Sequence, residues 1–463
     1  MIPDKNFNNL TIHFVGIGGI GMSGIAELMI DLGYKIQGSD LEINANIVRL
    51  QKRGIKFFKG HKRSNIKKIT AVVFSSAIKQ DNPELQECKR LSIPLVSRAD
   101  MLAELMKTKK SIAIAGSHGK TTTTSLVGSI FDNAKFDPTI VNGGIINSYS
   151  KNNRFGKSEW MIVEADESDG TFLRLPHQIN IITNLDLEHL DYYKTKENLI
   201  QSFIDFINNL PFYGFSILCI DSLNLKKISN NIKTRKIITF SKKSNNSDVK
   251  ISSIKMNKSS SHFTLNFKKG KINDIHGKFD FECSLLGNHN ILNATGAIIA
   301  SLIANVPIKN IRNSLKNFQG VKRRFTLLGT INKASIYDDY AHHPTEIEAS
   351  YEIAKHISSK KNIVIFQPHR YSRTQYLFED FIKVLKKIDI LYVLDVYPAG
   401  EIPIKDINSL NLVKKIKKFN KNSYYLNPHV NIKEILKPYF EEKNNIIFMG
   451  AGSITYIAQK LFN

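Results

Sequence analysis

The sequence predicts an α/β protein built as three modules, and three observations carry that prediction. Short apolar runs of strand character alternate with stretches whose apolar residues recur at helical spacing. Each of three segments opens on such a run followed by a turn rich in glycine or polar residues. The length of 463 residues also exceeds the roughly 250 to 300 at which a single core stops growing. The expected modules are 1–107, 108–320 and 321–463, with "KTKK" linking the first two.

In the first module, "LTIHFVGIGGIGMSGIAELMIDLGYKIQGSD" reads as strand, glycine turn, helix and strand, a βαβ unit that "AVVFSSAI" and "IPLVS" extend to about residue 106. Gly16, Gly18 and Gly21 satisfy GxGxxG, and Asp40 ends the next strand about 20 residues later. Glycines let backbone approach a pyrophosphate, and the acid can hold a ribose hydroxyl. This fits an NAD-dependent oxidoreductase, and equally a protein that holds another ribosyl pyrophosphate such as a UDP-sugar. A glycine turn that serves packing alone is the plainer alternative.

The second module opens with "SIAIAGSHGKTTTTSLVGSIF". Gly119, Lys120 and Thr121 stand between a strand and a helix, where free N–H groups and the positive helix end favour phosphate oxygens. Lysine adds a mobile charge, and the threonine hydroxyl can join a magnesium shell. The fuller motif asks for glycine at 114, where the chain has Ile114, so an ordinary helix opened by a glycine turn competes with this reading. Context decides between them. "IVEADESDGTFL" places Glu164, Asp166, Glu167 and Asp169 after one strand, and "TNLDLEHLDYY" places Asp186, Glu188, His189 and Asp191 after another. A single acid of this kind caps a helix or solvates a loop. Two clusters on the carboxyl edge beside a phosphate loop point to a divalent metal. Residues 233–283 alternate without clear helices and are expected to form a small antiparallel addition.

The third module gathers Asp338, Asp339, Tyr340, His342 and His343 in "YDDYAHHPTE", with Pro344 suited to a helix's first turn. "QPHRYSRT" supplies His369, Arg370 and Arg373, whose forks can grip a carboxylate or phosphate. Adjacent histidines after a strand point to opposite faces, so a metal is not expected at His342 and His343. The last unit, "NIIFMGAGSITYIAQKL", again reads strand, GxG, helix.

Composition narrows the function classes. The net charge of +24 is spread through stretches such as "VLKKIDI" and "LVKKIKKF" rather than gathered on one arm with aromatic residues. That pattern predicts a solvated surface attractive to small anions, with no nucleic-acid partner. Cys88, Cys219 and Cys283 are far apart and are expected to be buried, reduced thiols. No run of about 20 apolar residues occurs, and "MIPDKNFNNL" lacks the order of a signal peptide, which predicts a soluble, cytoplasmic protein with no membrane partner.

Taken in order, "GIGGIGMSGIAE", "GSHGKTTTT", "EADESDGTFL", "TNLDLEHLDYY", "GNHNILNATGAI", "GVKRRF", "DDYAHHPTE", "QPHRYSRT" and "GAGSI" resemble the motifs of the Mur ligase family along essentially the whole chain. The resemblance implies an N-terminal Rossmann-like domain for UDP, a central P-loop-type ATPase domain with a mostly parallel sheet, and a C-terminal Rossmann-like domain that brings the amino acid. The family's shorter loop does not need the glycine missing at 114. The implied reaction is ATP-dependent amide formation on UDP-N-acetylmuramate through an acyl phosphate, with magnesium. "GIGGIGMSG" looks like the branch that adds L-alanine; a branch that adds a whole peptide is the alternative.

The resemblance also implies roles residue by residue. Gly116, Ser117, His118, Gly119, Lys120, Thr121 and Thr122 would hold ATP, with Lys120 on the β and γ phosphates. Thr121 and Glu164 would take one magnesium, and His189 a second. Arg324 would meet the γ-phosphate from across the domain junction. His289 and Asn293 would form the adenine pocket, and Asp339 a ribose or phosphate-side contact. Tyr340, His342, Arg370 and Arg373 would hold alanine and the anionic end of the substrate, with His118 facing the muramyl group. Gly18, Gly19, Gly21, Asp40 and Ser76 would line the UDP side. Ser117 stands where the family usually has threonine. Some members carry a carbamylated lysine on the second metal, and neither Lys194 nor Lys196 has the register to be assigned that part. The expected assembly is a monomer or weak dimer.

Overall fold

The computed structural model describes residues 10–75, 77–147, 151–232, 234–358, 360–427, 430–441 and 443–462. They form three sheets. The first contains β1 (Thr11–Val15), β2 (Lys35–Asp40), β3 (Lys56–Lys59), β4 (Ala71–Phe74) and β5 (Leu95–Ser97). Its order is β3-β2-β1-β4-β5, with every neighbouring pair parallel. The order reverses between β1 and β4, so the turn after β1 opens at the switch point where ligands bind in such sheets.

The second sheet holds β6 (Lys110–Ala115), β7 (Thr139–Ile146), β8 (Lys151–Arg154), β9 (Trp160–Glu164), β10 (Ile179–Ile182), β11 (Phe215–Cys219), β12 (Lys236–Ser241), β13 (Val249–Met256), β14 (Ser261–Ile272) and β15 (Ile275–Cys283). Its order is β15-β14-β13-β12-β11-β10-β6-β9-β7-β8. β6 lies between β9 and β10 and runs parallel to both. In register, Ile114 faces Glu164 and Ala115 faces Ile182, so these three strands end on one edge. Ile112, Ala113, Ile114 and Ala115 have no exposed surface, as expected of a central parallel strand covered on both faces. Ile114 is therefore a core residue of the entering strand.

The antiparallel addition is narrower than the sequence pattern implies. β12 is parallel to β11, and its end pairs parallel with β13, so residues 236–241 belong to the main sheet. The alternation in "KIITFS" reports which face is buried and carries no information on strand direction. Beyond it, β13, β14 and β15 are neighbours joined by connections of only a few residues, too short for a crossover, and form a meander. A second antiparallel pair, β7 with β8, closes the opposite edge.

The third sheet contains β16 (Thr326–Ile331), β17 (Ala334–Asp339), β18 (Asn362–Phe366), β19 (Ile390–Val393), β20 (Ser423–Tyr425) and β21 (Asn445–Met449) in the order β16-β17-β21-β18-β19-β20. Only β16 runs antiparallel to its neighbour. "DDYAHH" begins with the last two residues of β17, and "QPHRYS" and "GAGS" follow β18 and β21, so all three motifs emerge at the carboxyl edge.

The chain packs as two compact units. One runs to Ile254 and includes His262–Cys283 and Leu292–Phe318; the other comprises Lys255–Ser261, Ser284–Ile291 and the chain from Gln319. Within the first unit, Phe14, Ile17 and Met22 share one apolar cluster with Phe172, Phe203 and Phe206. All three cysteines are buried, and burial pushes the Cys88 thiol up to about 11, so it is inert at neutral pH. Among the described residues, no helix is long and apolar enough to cross a membrane.

Candidate functional site

In the first unit the site is built on the edge where β6, β9 and β10 end. The chain leaves β6 at Gly116, whose φ of +128° only glycine adopts comfortably, and a Cβ there would lie 2.9 Å from the Asn184 carbonyl oxygen. Gly119 has φ of +81° and caps the helix Lys120–Asn133, with the Asn293 side chain packed against the face where a Cβ would stand. Asn184 brackets the loop between them: its side-chain oxygen accepts from the His118 N–H at 2.8 Å, and its amide donates to the His118 carbonyl at 2.9 Å. Ser117 is tied to the same segment, accepting from the Asp186 N–H at 2.8 Å. The amides at the head of this helix thus face a rigid concave turn.

A methyl group at Gly119 must both adopt a left-handed conformation, which costs about 1–2 kcal/mol, and displace Asn293. Gly119→Ala is therefore expected to lower the melting temperature by a few degrees. It should also weaken nucleotide binding about tenfold, as read by calorimetry with MgADP. Unchanged affinity would show that the loop does not carry the phosphate.

The structure sorts the four acids after β9. Glu164 meets Thr121, whose hydroxyl donates to it at 3.1 Å, and it accepts from the Gly143 N–H at 2.7 Å. Asp166 and Asp169 cap local turns, accepting from the N–H groups of Ser168 and Thr171, each at 3.1 Å. Glu167 reaches the lysine: Lys120 donates to it at 2.8 Å and to the Gly116 carbonyl at 2.7 Å. Burial opposes the Lys120 charge, but Glu167, Asp166 and Glu164 outweigh burial and hold the ammonium protonated. Burial pushes the Glu167 carboxyl up to about 7 against the pull of Lys120. For Asp166, Lys120 and the Ser168 N–H prevail over burial, and its carboxyl lies below the usual range.

After β10, His118 Nε2 lies 3.2 Å from an Asp186 oxygen and 3.3 Å from one of Glu188. His189 lies 3.7 Å from Glu188 and has φ of +57°, a left-handed conformation that few non-glycine residues take. It starts the short helix Leu190–Tyr193, whose Tyr193 hydroxyl donates to the Glu167 carbonyl. His189 also helps to lower the Asp166 carboxyl. The donor set suits a hard cation. The 3.1 Å between the Thr121 and Glu164 oxygens matches the spacing of about 3 Å between adjacent oxygens on one octahedral magnesium. Thr122 is buried in the helix's first turn. Asn293 is buried one turn beyond His289 on the helix Asn288–Ile303.

The turn after β1 is closed by its own side chains. Asp40 accepts from the Gly18 N–H at 2.8 Å, and the amides of Asn44 and Asn46 donate to the Gly18 carbonyl at 3.0 and 2.9 Å. Gly19 caps the helix Ile20–Asp31, and Arg98 packs against Gly21. Ser76 lies outside the described residues.

The second unit holds its own polar cluster. Asp339 ends β17 fully enclosed, accepting from the Ala341 N–H at 2.9 Å and the Ser350 hydroxyl at 2.6 Å. Burial raises its carboxyl to about 6, against the opposing pull of Ser350 and Arg324. Arg324 lies over the Tyr340 ring at 5.3 Å and 3.7 Å from Glu346. Arg323 also covers that ring, at 4.7 Å, and donates to the Gly450 carbonyl at 2.7 Å. His342 lies edge-on to Tyr340 and to His369. His369 stacks on Tyr397 at 5.5 Å; burial, with His342 and the guanidiniums of Arg373 and Arg370 nearby, lowers its ring to about 4, so it is neutral. Arg373 lies 3.4 Å from the His369 ring, and Arg370 has φ of +70° at the head of the helix Tyr371–Tyr376. His343 caps the helix Pro344–Ile357, with Pro344 in the first turn as expected.

Asn184, Arg98 and Arg323 are among the cluster residues with no assigned part in the sequence reading, and Glu167 enters it only as one of four acids expected near a divalent metal. Glu167 and Asn184 stand inside motifs already singled out, and only the fold shows that one faces the lysine and the other clamps the loop.

Comparison with known proteins adds three family-model matches: Mur ligase family, catalytic domain, over residues 11–110; Mur ligase middle domain over 114–301; and Mur ligase, glutamate ligase domain, over 323–452. A relative from Rickettsia felis, named UDP-N-acetylmuramate--L-alanine ligase, is 48% identical over 460 residues, covering 97% of this chain and 95% of its own. The crystal structure of a UDP-N-acetylmuramate-alanine ligase from Thermotoga maritima superposes with a TM-score of 0.80 at 26% identity, covering 98% of both chains. A murein peptide ligase from Psychrobacter arcticus gives 0.71 at 23% identity over 98% of both chains, a likeness of fold alone.

Proposed function

Because this chain belongs to the Mur ligase family, we propose that it joins L-alanine to UDP-N-acetylmuramate at the expense of ATP, a step of peptidoglycan precursor synthesis. The observation that carries the reading is 48% identity, across 97% of the chain, to a relative that bears that name. The phosphate loop and acid clusters at the β6, β9 and β10 edge support it, since an oxidoreductase has no use for them. The peptide-adding alternative rests on likenesses to structures 23% and 21% identical to this chain, which speak for the fold alone.

In the proposed reaction the lactyl carboxylate of the sugar nucleotide attacks the γ-phosphorus of ATP. The bond to the bridging oxygen breaks, and ADP leaves. The alanine amine then attacks the acyl carbon, phosphate departs with the bonding electrons, and the nitrogen loses a proton. Phosphoryl transfer of this kind asks the protein for positioning and charge neutralisation rather than covalent help. Lys120 supplies a fixed cation to the phosphates, and the loop amides between Gly116 and Lys120 cradle them. Thr121 and Glu164 would hold a magnesium ion and His189 a second; when bound, magnesium neutralises phosphate charge. Arg324 adds a guanidinium for the γ-phosphate, and Asp339 serves the ribose or phosphate side. Tyr340, His342, Arg370 and Arg373 hold alanine and the substrate's anionic end. His289 and Asn293 receive adenine, and Gly18, Gly19, Gly21 and Asp40 serve the UDP side.

Incubating the protein with ATP, magnesium and UDP-N-acetylmuramate should release ADP and phosphate one for one with amide formed, on addition of L-alanine and not of a tripeptide. ADP release with the tripeptide alone would overturn the assignment.

A further inference from the structure

Glu167 has no part in the reaction as derived, yet it is the counter-ion of the residue on which the nucleotide reading depends. Lys120 is 13% exposed and Glu167 only 2%, so water does little to screen their 2.8 Å contact. An ammonium has three donors. Two of those on Lys120 are taken, by Gly116 and by Glu167, which leaves one for phosphate. Glu167 is also held from behind. Its carbonyl accepts from the Gly170 N–H at 3.1 Å and from the Tyr193 hydroxyl, so its backbone is fixed from two sides. Its second carboxylate oxygen is buried and has no hydrogen-bond partner among the described residues, which leaves Lys120 as the main compensation for its charge.

We infer that Glu167 is a positioning residue acting through Lys120: it draws the ammonium back onto the loop, so that incoming phosphates compete with a buried carboxylate, and it thereby weakens nucleotide binding and speeds ADP release. The inference rests on the reading of Lys120 as the phosphate ligand. Its direction follows from charge. The carboxylate competes with phosphate for the ammonium, and removing its charge while keeping its shape frees Lys120 for the nucleotide.

The test is MgADP binding by calorimetry at pH 8 to the wild-type chain, Glu167→Gln, Lys120→Ala and the double variant, with Glu167→Ala as a second probe should Gln fold poorly. Glu167→Gln is expected to bind MgADP about five- to tenfold more tightly, with KM for ATP and kcat both falling as ADP leaves more slowly. In the Lys120→Ala background the same substitution should change affinity less than about twofold, because a Glu167 deprived of its lysine already carries a proton. Weaker or unchanged binding in the single variant would overturn the inference, since loss of a merely structural contact moves affinity in that direction. An equal gain in the Lys120→Ala background would also overturn it, by showing that Glu167 acts through its own charge. Absence of MgADP binding to the wild-type chain would remove the nucleotide reading itself, and the inference with it.

Discussion

Lys120→Ala is expected to lower turnover by about 10³-fold or more while leaving the chain folded. Phosphoryl transfer spreads negative charge over the γ-phosphate oxygens, and a preorganised cation in a water-poor site counts for most where that charge develops. The variant also leaves Glu167 buried without its counter-ion. Breaking a buried pair in this way costs about 3–5 kcal/mol when the remaining group stays charged. Glu167 has another course, since its carboxyl is already raised to about 7 and rises further without the ammonium, so below that value it is neutral. A raised folded-state value means that the associated stability is present at low pH and is lost as pH rises through about 7 and above. The stability deficit of Lys120→Ala should therefore be small at pH 6 and larger at pH 8.5, as read by urea denaturation at the two values. Full activity in the ADP-release assay would refute the phosphate role.

The sequence makes the positions of chemistry legible where backbone demands are severe. Gly116 and Gly119 are glycines because positive φ and close neighbours admit little else, and the strand before them is apolar because it runs through the sheet centre. Those constraints are local, and a local pattern reports them. Strand direction is not local, which is why the alternation of β12 reads as antiparallel although it lies parallel in the main sheet. Nor can a run of acids say which one faces a cation. In "EADESD" the four carboxylates differ by one or two positions, yet one meets Thr121, one meets Lys120 and two cap turns. The Tyr193 hydroxyl that holds the Glu167 carbonyl comes from outside the motif, and that contact leaves no mark in the spacing.

Asp339→Asn is expected to stabilise the chain at pH 8 while lowering turnover by about 100-fold. The wild-type carboxyl is enclosed, with Ser350 and the Ala341 N–H as its partners and Arg324 and Glu346 as the charges around it. Its folded-state value of about 6 against an ordinary 3.8 corresponds to about 3 kcal/mol of stability, present below pH 3.8 and lost as pH rises through about 6. An amide of the same shape carries no such titration. Its oxygen can accept from the Ala341 N–H, and the Ser350 hydroxyl can rotate to accept from its NH₂ group. The stability of the variant should therefore change less than that of the wild type between pH 4 and 8. The loss of turnover is expected because a charge kept at this cost, at the carboxyl edge of a parallel sheet, is what a site that uses it would retain. Chemical denaturation at pH 5 and 8, paired with steady-state rates at pH 8, tests both halves. A variant less stable than wild type at pH 8 would contradict the burial account, and one that keeps full turnover would remove Asp339 from the site.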